Sequence, residues 1–325
     1  MSLVNVIELK KTTEGTVRDF ESVFLFKKMN LKTARNGSEF LVVEVGDRTG
    51  HLQFMCFADT GVFQFFKSAE EGSFVHLKGQ TSHYQGRFSP KILSAESISE
   101  EEVAYKGVLQ DLIESSPEDP QLLWNEYLRF MEQIKDDGLR STVKLVIEEY
   151  ASMLKEWPAA ISMHHAYRHG LLEHTVHVAR AAKALLPLYP EVHPDLAITG
   201  VLLHDIGKIV EYEGNRSSKK TKIGALQGHV VLGYRIVRKA AIQSKLESNL
   251  LERLEHIILS HQGELEWGAA ALACTPEAIF VSLVDNLDAK MGMVQQALRN
   301  TPDTETFSEY LPGLEISLLK ENVIH

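Results

Sequence analysis

The stretch of the sequence that most constrains its fold is an apolar run with a histidine and an aspartate inside it. Residues 202–208 read Leu-Leu-His-Asp-Ile-Gly-Lys, so His204 and Asp205 have apolar neighbours on both sides. Burying a His-Asp pair is costly unless something compensates for the lost hydration, and a bound metal ion is a common compensation. Adjacent His and Asp residues also occur by chance in surface loops, so the pair alone does not establish a site.

The histidines of the chain are concentrated around this pair. Ten of the fourteen lie between His164 and His261. Imidazole and carboxylate ligands suit divalent Mn, Fe, Co or Zn better than Ca. The two cysteines, Cys56 and Cys274, are too few and too far apart for a cysteine-based zinc site. The alternative is a helical domain that is rich in histidine and holds no metal. The candidate metal ligands are His174, His204, Asp205, His229, His256, His261 and Asp285.

Residues 18–98 show the pattern of strands and turns. Segments rich in β-branched and aromatic residues are separated by turn sequences, including Asn36-Gly37 and the Asp-Arg-Thr-Gly of residues 47–50. A helical stretch around residues 62–66 stands between the third and fourth strands. Five strands with a helix in this position predict an all-β OB-fold barrel.

Aromatic and basic side chains on such a barrel could bind a single nucleic acid strand. Exposed rings would stack on bases, and nearby Lys and Arg would follow the phosphate backbone. The alternative for each phenylalanine is the barrel core, and the alternative for the whole barrel is a structural or protein-binding role. The candidates for strand binding are Arg35, Tyr84, Arg87 and Phe88, with Phe24, Lys27 and Phe54 as further ones.

From residue 99 onward the sequence is helical in pattern. Apolar residues recur at spacings of three and four, and the segment 115–120, Ser-Ser-Pro-Glu-Asp-Pro, interrupts them. We predict a barrel domain over residues 1–98, a helical connector over 99–158 and an all-α metal-binding domain over 159–325.

Charge and composition limit the partners. The net charge is −10, yet residues 1–100 contain twelve basic and twelve acidic residues, so the acidic excess lies in the remainder. A neutral barrel can still bind single strands by stacking, whereas purely electrostatic, nonspecific binding is disfavoured. The absence of a long apolar run and of a signal-peptide pattern, with only two cysteines, predicts a cytoplasmic protein without a membrane span.

The arrangement of candidate ligands resembles the HD superfamily of metal-dependent phosphohydrolases. The resemblance is carried by Gly-Leu-Leu-Glu-His-Thr at 170–175, Leu-His-Asp-Ile-Gly-Lys at 203–208, Gly228-His229, residues 256–263 and Asp285. It implies two divalent ions, most favourably Mn, with Fe, Co, Zn or Mg as alternatives. It also implies that Asp205 bridges them as a catalytic ligand.

Residues around the ligands have candidate roles as well, of which the resemblance supplies the first. It implies that Lys208 orients or neutralises a phosphate. Asp288, one helical turn after Asp285, is a candidate to support a ligand. In the polar segment 159–170, His165 and Arg168 are candidates for touching substrate phosphate, and a solvated loop is the alternative.

Two features of the ligand pattern leave the roles of individual residues open. His256 and His261 are five residues apart, which a regular helix separates by about 140°. Both can reach one metal only if the helix ends or bends near Ser260. The family often has a second histidine where this chain has Gln262, so the role of that second imidazole is open.

An OB-fold barrel followed by an HD domain resembles the bacterial 3′→5′ exoribonucleases of the YhaM type. This resemblance implies Mn-dependent removal of nucleotides from the 3′ end of single-stranded RNA, with single-stranded DNA as a further substrate. One alternative is an HD phosphodiesterase or nucleotidase acting on small or cyclic nucleotides. Others are an RNA-binding module without activity and a structural or regulatory partner protein. Apolar residues in segment 307–325 leave a homo-oligomer open.

Overall fold

The computed structural model describes residues 4–34, 37–105, 108–112, 115–160, 167–213, 219–301 and 305–320. Two of the predicted substrate-binding residues, Arg35 and His165, lie outside these ranges. The chain divides into two units, Met1–Ser115 and Ser116–His325. The predicted connector, residues 99–158, is divided between them. Within the described ranges, no helix combines the length and the apolar character needed to cross a membrane.

The first unit is built around a five-stranded antiparallel sheet in the order β3-β2-β1-β4-β5. The end strands β3 and β5 approach each other, so the sheet curves into a barrel. The predicted layout, with a helix between the third and fourth strands, is confirmed. The elements are α1 (Val6–Lys10), β1 (Arg18–Thr33), β2 (Glu39–Asp47), β3 (Gly50–Phe57), α2 (Gly61–Ser68), β4 (Phe74–Tyr84), β5 (Arg87–Ile98), α3 (Glu100–Tyr105) and α4 (Leu109–Leu112).

Aromatic side chains fill the barrel. Phe26 and Phe54 both pack edge-on against Phe66 of α2. Phe24 is completely buried and Phe54 nearly so. The suggestion that these two rings contact bases is therefore wrong, because the alternation of the strands turns them inward, where burial of a ring contributes about 1.5–3 kcal/mol.

The described part of the second unit is mostly helical, with two two-residue strands and, within residues 305–320, two isolated β-bridges. Its most apolar helix, α8, is buried on nearly every side, as expected for a helix without a polar face. The elements are α5 (Pro120–Glu132), α6 (Asp137–Glu156), α7 (Gly170–Leu185), α8 (Pro194–Leu203), α9 (Lys208–Glu211), β6 (Tyr212–Glu213), β7 (Lys219–Lys220), α10 (Lys222–Gln243), α11 (Ser248–Ser260) and α12 (Pro276–Asn300).

Candidate metal centre

Among its described residues the second unit contains three groups of metal-capable side chains, and two of them meet at the His204-Asp205 pair. Within each group the ligand atoms are no more than 4.8 Å apart. Helices α7 and α12 each supply one member of the first group, and α10 and the end of α11 each supply one of the second. The short link between α8 and α9 supplies a member of both. The first group is His174, His204 and Asp285, and the second is Asp205, His229 and His261.

The first group is almost completely buried. His174 Nε2 lies 3.1 Å from His204 Nε2 and 3.1 Å from Asp285 Oδ1. Asp205 Oδ2 lies 3.4 Å from both of these imidazole nitrogens. Two imidazoles and two carboxylates thus converge on one small volume, which is a donor set suited to a divalent transition metal.

The second group uses the other oxygen of the same aspartate. Asp205 Oδ1 lies 3.5 Å from His229 Nε2 and 3.6 Å from His261 Nε2. Among the described residues it is buried and has no hydrogen-bond partner. A buried carboxylate oxygen without a hydrogen-bond donor is unfavourable, and a cation bound at this group would satisfy it. Each oxygen of Asp205 therefore faces a different pair of imidazoles.

Three of the four imidazoles hydrogen-bond through their other nitrogen, Nδ1, and that of His229 lies close to a carboxylate oxygen without forming an aligned hydrogen bond to it. An acceptor at Nδ1 holds the proton there, so Nε2 is the atom available to a metal. One ring in each group is supported by a carboxylate and the other by a main-chain carbonyl three residues earlier. The pairs are His174 with Asp288 (2.7 Å), His204 with Val201 (2.7 Å), His229 with Glu211 (3.0 Å) and His261 with Ile258 (2.7 Å).

The electrostatics of the first group favour a positive charge. Burial by itself would lower the pKa of His174, but hydrogen bonds to Asp285 and Asp288 raise it to about 10. Burial would raise the pKa of Asp285, but the charge of His204 and the hydrogen bond with His174 lower it to about 2. A metal ion bound at this group would compete with a proton for the imidazole nitrogen of His174. The residues therefore fit the divalent ions that the HD resemblance implies.

Lys208 completes the centre. Its Nζ lies 2.6 Å from Asp205 Oδ2, and its side chain is buried. Burial would raise the pKa of Asp205, but the charges of Lys208 and His204 hold it well below its usual range. Arg168, the other predicted phosphate ligand of this unit within the described residues, has Nη2 3.5 Å from Glu156 Oε2.

Glycines allow the elements to meet closely. A Cβ on Gly207, just after the His-Asp pair, would lie 1.9 Å from the carbonyl oxygen of His229. Gly228 has φ +68° and kinks α10, and its neighbour His229 begins the second half of that helix. Only glycine adopts such a backbone without strain. The two positions bring α9 and α10 together at the second group.

His256 does not join the ligands. Its Nε2 accepts a hydrogen bond from the main-chain N–H of Cys274 at 2.9 Å. The inclusion of His256 in the predicted ligand set is therefore not supported by the geometry, and the reason is its angular separation from His261 on α11. Gln262, and not His256, lies beside the second group. Its amide nitrogen is 3.2 Å from Nε2 of both His229 and His261.

Sequence reasoning missed Glu211, which supports His229. It is buried and lies one helical turn after Lys208 on α9. The same one-turn spacing had singled out Asp288 after Asp285. An acidic residue one turn beyond a motif residue on a buried helix is the signal that could have found Glu211.

In the first unit, two of the predicted strand-binding residues stand at the tip of the β4–β5 hairpin. Tyr84 and Arg87 pair across a turn in which Gln85 and Gly86 both have positive φ, as in a type I′ hairpin. Both side chains are exposed. Phe88 is half-buried and packs against the barrel core.

An apolar patch on the outer face of β2 and β3 was not predicted. Phe40 pairs with Phe57 across these strands, and their ring centroids are 6.3 Å apart. Met55 neighbours them, and Met55 and Phe57 are 58% and 53% exposed. Lys32 pairs with Phe40 on the other side, from β1. We call Phe40, Met55 and Phe57 the β2–β3 platform.

Comparison with known families agrees with both units. Residues 171–290 match the family model of the HD domain, and this range contains both ligand groups. Residues 12–100 match the family model of an OB-fold nucleic acid binding domain. The predicted fold class, an OB-fold barrel followed by an HD-type helical domain, is confirmed.

Curated relatives extend the agreement to nearly the whole chain. The chain is 30% identical over 301 residues to the 3′-5′ exoribonuclease YhaM of Shouchella clausii, covering 91% of each protein. It is 30% identical over 313 residues to the Listeria monocytogenes protein of that name, covering 94% of this chain and 96% of the relative. Identity to the Bacillus subtilis protein is 29% over 300 residues, covering 91% and 92%. The chain therefore belongs to the YhaM family of 3′-5′ exoribonucleases.

Proposed function

We propose that this protein removes nucleotides from the 3′ end of single-stranded RNA in a reaction that depends on two divalent ions, with single-stranded DNA as a further substrate. The observation that carries the proposal is the position of Asp205, whose two carboxylate oxygens face two separate histidine groups. The relationship to the YhaM family supports the 3′→5′ direction of degradation and RNA as the substrate.

Two ions at these groups would polarise the scissile phosphodiester and stabilise the leaving oxygen. The protein's own contribution is to hold four imidazoles and two carboxylates in place with fixed proton positions. Lys208 neutralises part of the charge of Asp205 and is placed to orient a phosphate oxygen. Imidazole and carboxylate donors suit Mn, with Fe, Co, Zn or Mg as alternatives.

The first unit would hold the strand. The β2–β3 platform offers ring faces and a thioether to bases, and Lys32 stands beside it for the backbone. Tyr84 and Arg87 add a third ring and a guanidinium at the hairpin tip. Stacking of this kind requires bases that are not already stacked in a duplex, so a single strand is the substrate that it favours.

A second candidate activity is hydrolysis of small or cyclic nucleotides. The specific observation in its favour is that both ligand groups come from residues 174–285 of the second unit alone. Such a site could act without a polymer.

A labelled RNA assay tests the proposal. A single-stranded RNA labelled at its 5′ end is incubated with the protein, with and without Mn, beside the Asp205→Ala variant. We expect a metal-dependent ladder that shortens from the 3′ end and is absent with the variant. Intact RNA, with cleavage of small nucleotides by the same preparation, would support the second candidate and contradict the exonuclease.

A further inference from the structure

A chain of polar side chains leads from the first metal group towards the surface of the second unit. Asp288 contacts two imidazoles, with Oδ2 2.7 Å from His174 Nδ1 and Oδ1 3.4 Å from His177 Nδ1. His177 Nε2 lies 2.5 Å from Glu118 Oε1. Arg180 donates to both oxygens of Glu118, each at 2.9 Å. We call His177, Glu118 and Arg180 the relay.

The relay connects three separate parts of the unit. His174, His177 and Arg180 lie on α7 at intervals of three residues, so they follow one side of that helix. Glu118 precedes α5, and Asp288 belongs to α12. A shift of either element relative to α7 would therefore be felt at the metal ligand His174.

The relay is not suited to a third metal ion. Glu118, His177 and the buried Glu173 are close enough to hold one. However, the Arg180 guanidinium already binds both oxygens of Glu118 and lowers the pKa of that carboxyl to about 2, with His177 contributing. A cation at this place would face the guanidinium. The cluster therefore has its positive partners built into the chain.

The two metal groups are supported differently. The carboxylate behind His229, that of Glu211, has its other oxygen 2.8 Å from the ammonium of Lys220, on β7. Lys220 is half exposed, whereas the partner at the equivalent place behind His174 is an imidazole only 18% exposed, held in turn by Glu118. The support of the first group is thus more enclosed and more extensive.

From this difference we infer that His177 and Glu118 are positioning residues that orient Asp288 and thereby set the metal affinity of the first group, independently of the second. The inference rests on the proposed metal dependence of the centre. A carboxylate held by two imidazoles has a fixed orientation, and His174 is aimed by it. Without His177, Asp288 loses one of the contacts that fix its orientation, and the ring of His174 is held less firmly.

Manganese titration of the purified full-length protein, without RNA, tests the inference. The two Mn dissociation constants are measured by calorimetry and by the spectrum of unbound Mn. We expect His177→Ala and the nearly isosteric Glu118→Gln to weaken the first group by about 10- to 100-fold, the range found for partners that orient metal ligands. The second group should change less than about twofold in the same titration.

Two further variants control the assignment. Glu211→Gln is the matched change behind His229 and should weaken the second group instead. His177→Asn keeps a side-chain N–H towards Asp288 and should restore part of the affinity lost in His177→Ala. Unchanged dissociation constants, or equal weakening of both groups, would overturn the inference. Selective weakening in a protein that leaves RNA intact would uphold it while the proposed function fails.

Discussion

At the scale of single residues, loss of the Asp205 carboxylate would have two separate effects, one on metal ligation and one on the Lys208 ammonium. Its oxygens face the two histidine groups, and its Oδ2 also accepts from the buried ammonium of Lys208. Removing the carboxylate removes the shared metal ligand and leaves a buried cation without its counter-charge. These two effects can be separated by mutation.

We predict that Asp205→Asn destabilises the metal-free protein by about 3–5 kcal/mol, because it leaves the Lys208 ammonium buried and unpaired. The double variant Asp205→Asn/Lys208→Met should recover most of that loss in urea unfolding, while Mn binding stays impaired in both variants. A double variant as unstable as the single one would place the cause elsewhere than the ammonium.

The ligands were easier to predict than their surroundings. His174, His204 and Asp285 could be found because a recurring motif places them at recognisable positions. The main-chain carbonyls of Val201 and Ile258 could not be found in this way. Their positions follow from helix geometry, which any residue type at 201 and 258 would give. The place of Gln262 beside the second group depends on how α10 and α11 pack, which no local pattern records.

At the scale of elements, the approach of α9 to α10 decides the second group. Gly207 allows it, because any side chain there would occupy the position of the His229 carbonyl. The kink at Gly228 then places His229 at the start of a new helical segment. The centre thus depends on two helices meeting backbone to backbone.

We predict that Gly207→Ala destabilises the protein by at least about 1–3 kcal/mol, the usual cost of overpacking, and weakens Mn binding at the second group. Gly61→Ala on α2 is the control, since an added methyl group there would meet no atom within 4 Å. This control should stay within about 1 kcal/mol of the wild type, because alanine favours a helix. Thermal unfolding and Mn titration of both variants measure the difference, and equal losses would contradict it.

The strands show where alternation stops being informative. The sequence predicted β2 and β3, but the second half of β3 is apolar on both sides, with Phe54 and Cys56 on one side and Met55 and Phe57 on the other. Within that half, alternation separates the two sets and does not tell which one faces the core. Phe54, a further candidate for base contact, lies on the buried side, whereas Phe57, which was not a candidate, is exposed.

At the scale of the whole molecule, two units divide the work proposed for the protein. The first unit is electrically neutral up to residue 100, and the acidic excess belongs to the remainder. Strand binding by the first unit should therefore rest on stacking more than on ion release. Its dependence on salt should be shallow compared with that of a basic nucleic-acid-binding protein.

We predict that Phe40→Ala/Phe57→Ala lowers the affinity for single-stranded RNA by at least about 10-fold, since each stacked base is worth about 1–3 kcal/mol. Hydrolysis of a dinucleotide should be unchanged. Leu93→Ala is the control, because it removes a similarly exposed apolar side chain from β5 of the same barrel. Fluorescence anisotropy at several salt concentrations measures the affinities.

Equal losses in the control and the double variant would show that apolar surface in general, and not the platform, binds the strand. A steep loss of affinity with salt would also contradict stacking as its basis. The second result would favour contact through basic side chains, such as Arg87 at the hairpin tip.

The adjacency of His204 and Asp205 has a consequence for how the centre tolerates change. One peptide link joins a ligand of the first group to the ligand shared by both. The spacing of these two ligand positions is therefore set by covalent geometry within a single dipeptide. The surrounding helices can shift over evolutionary time, or loosen on warming, while these two side chains stay adjacent.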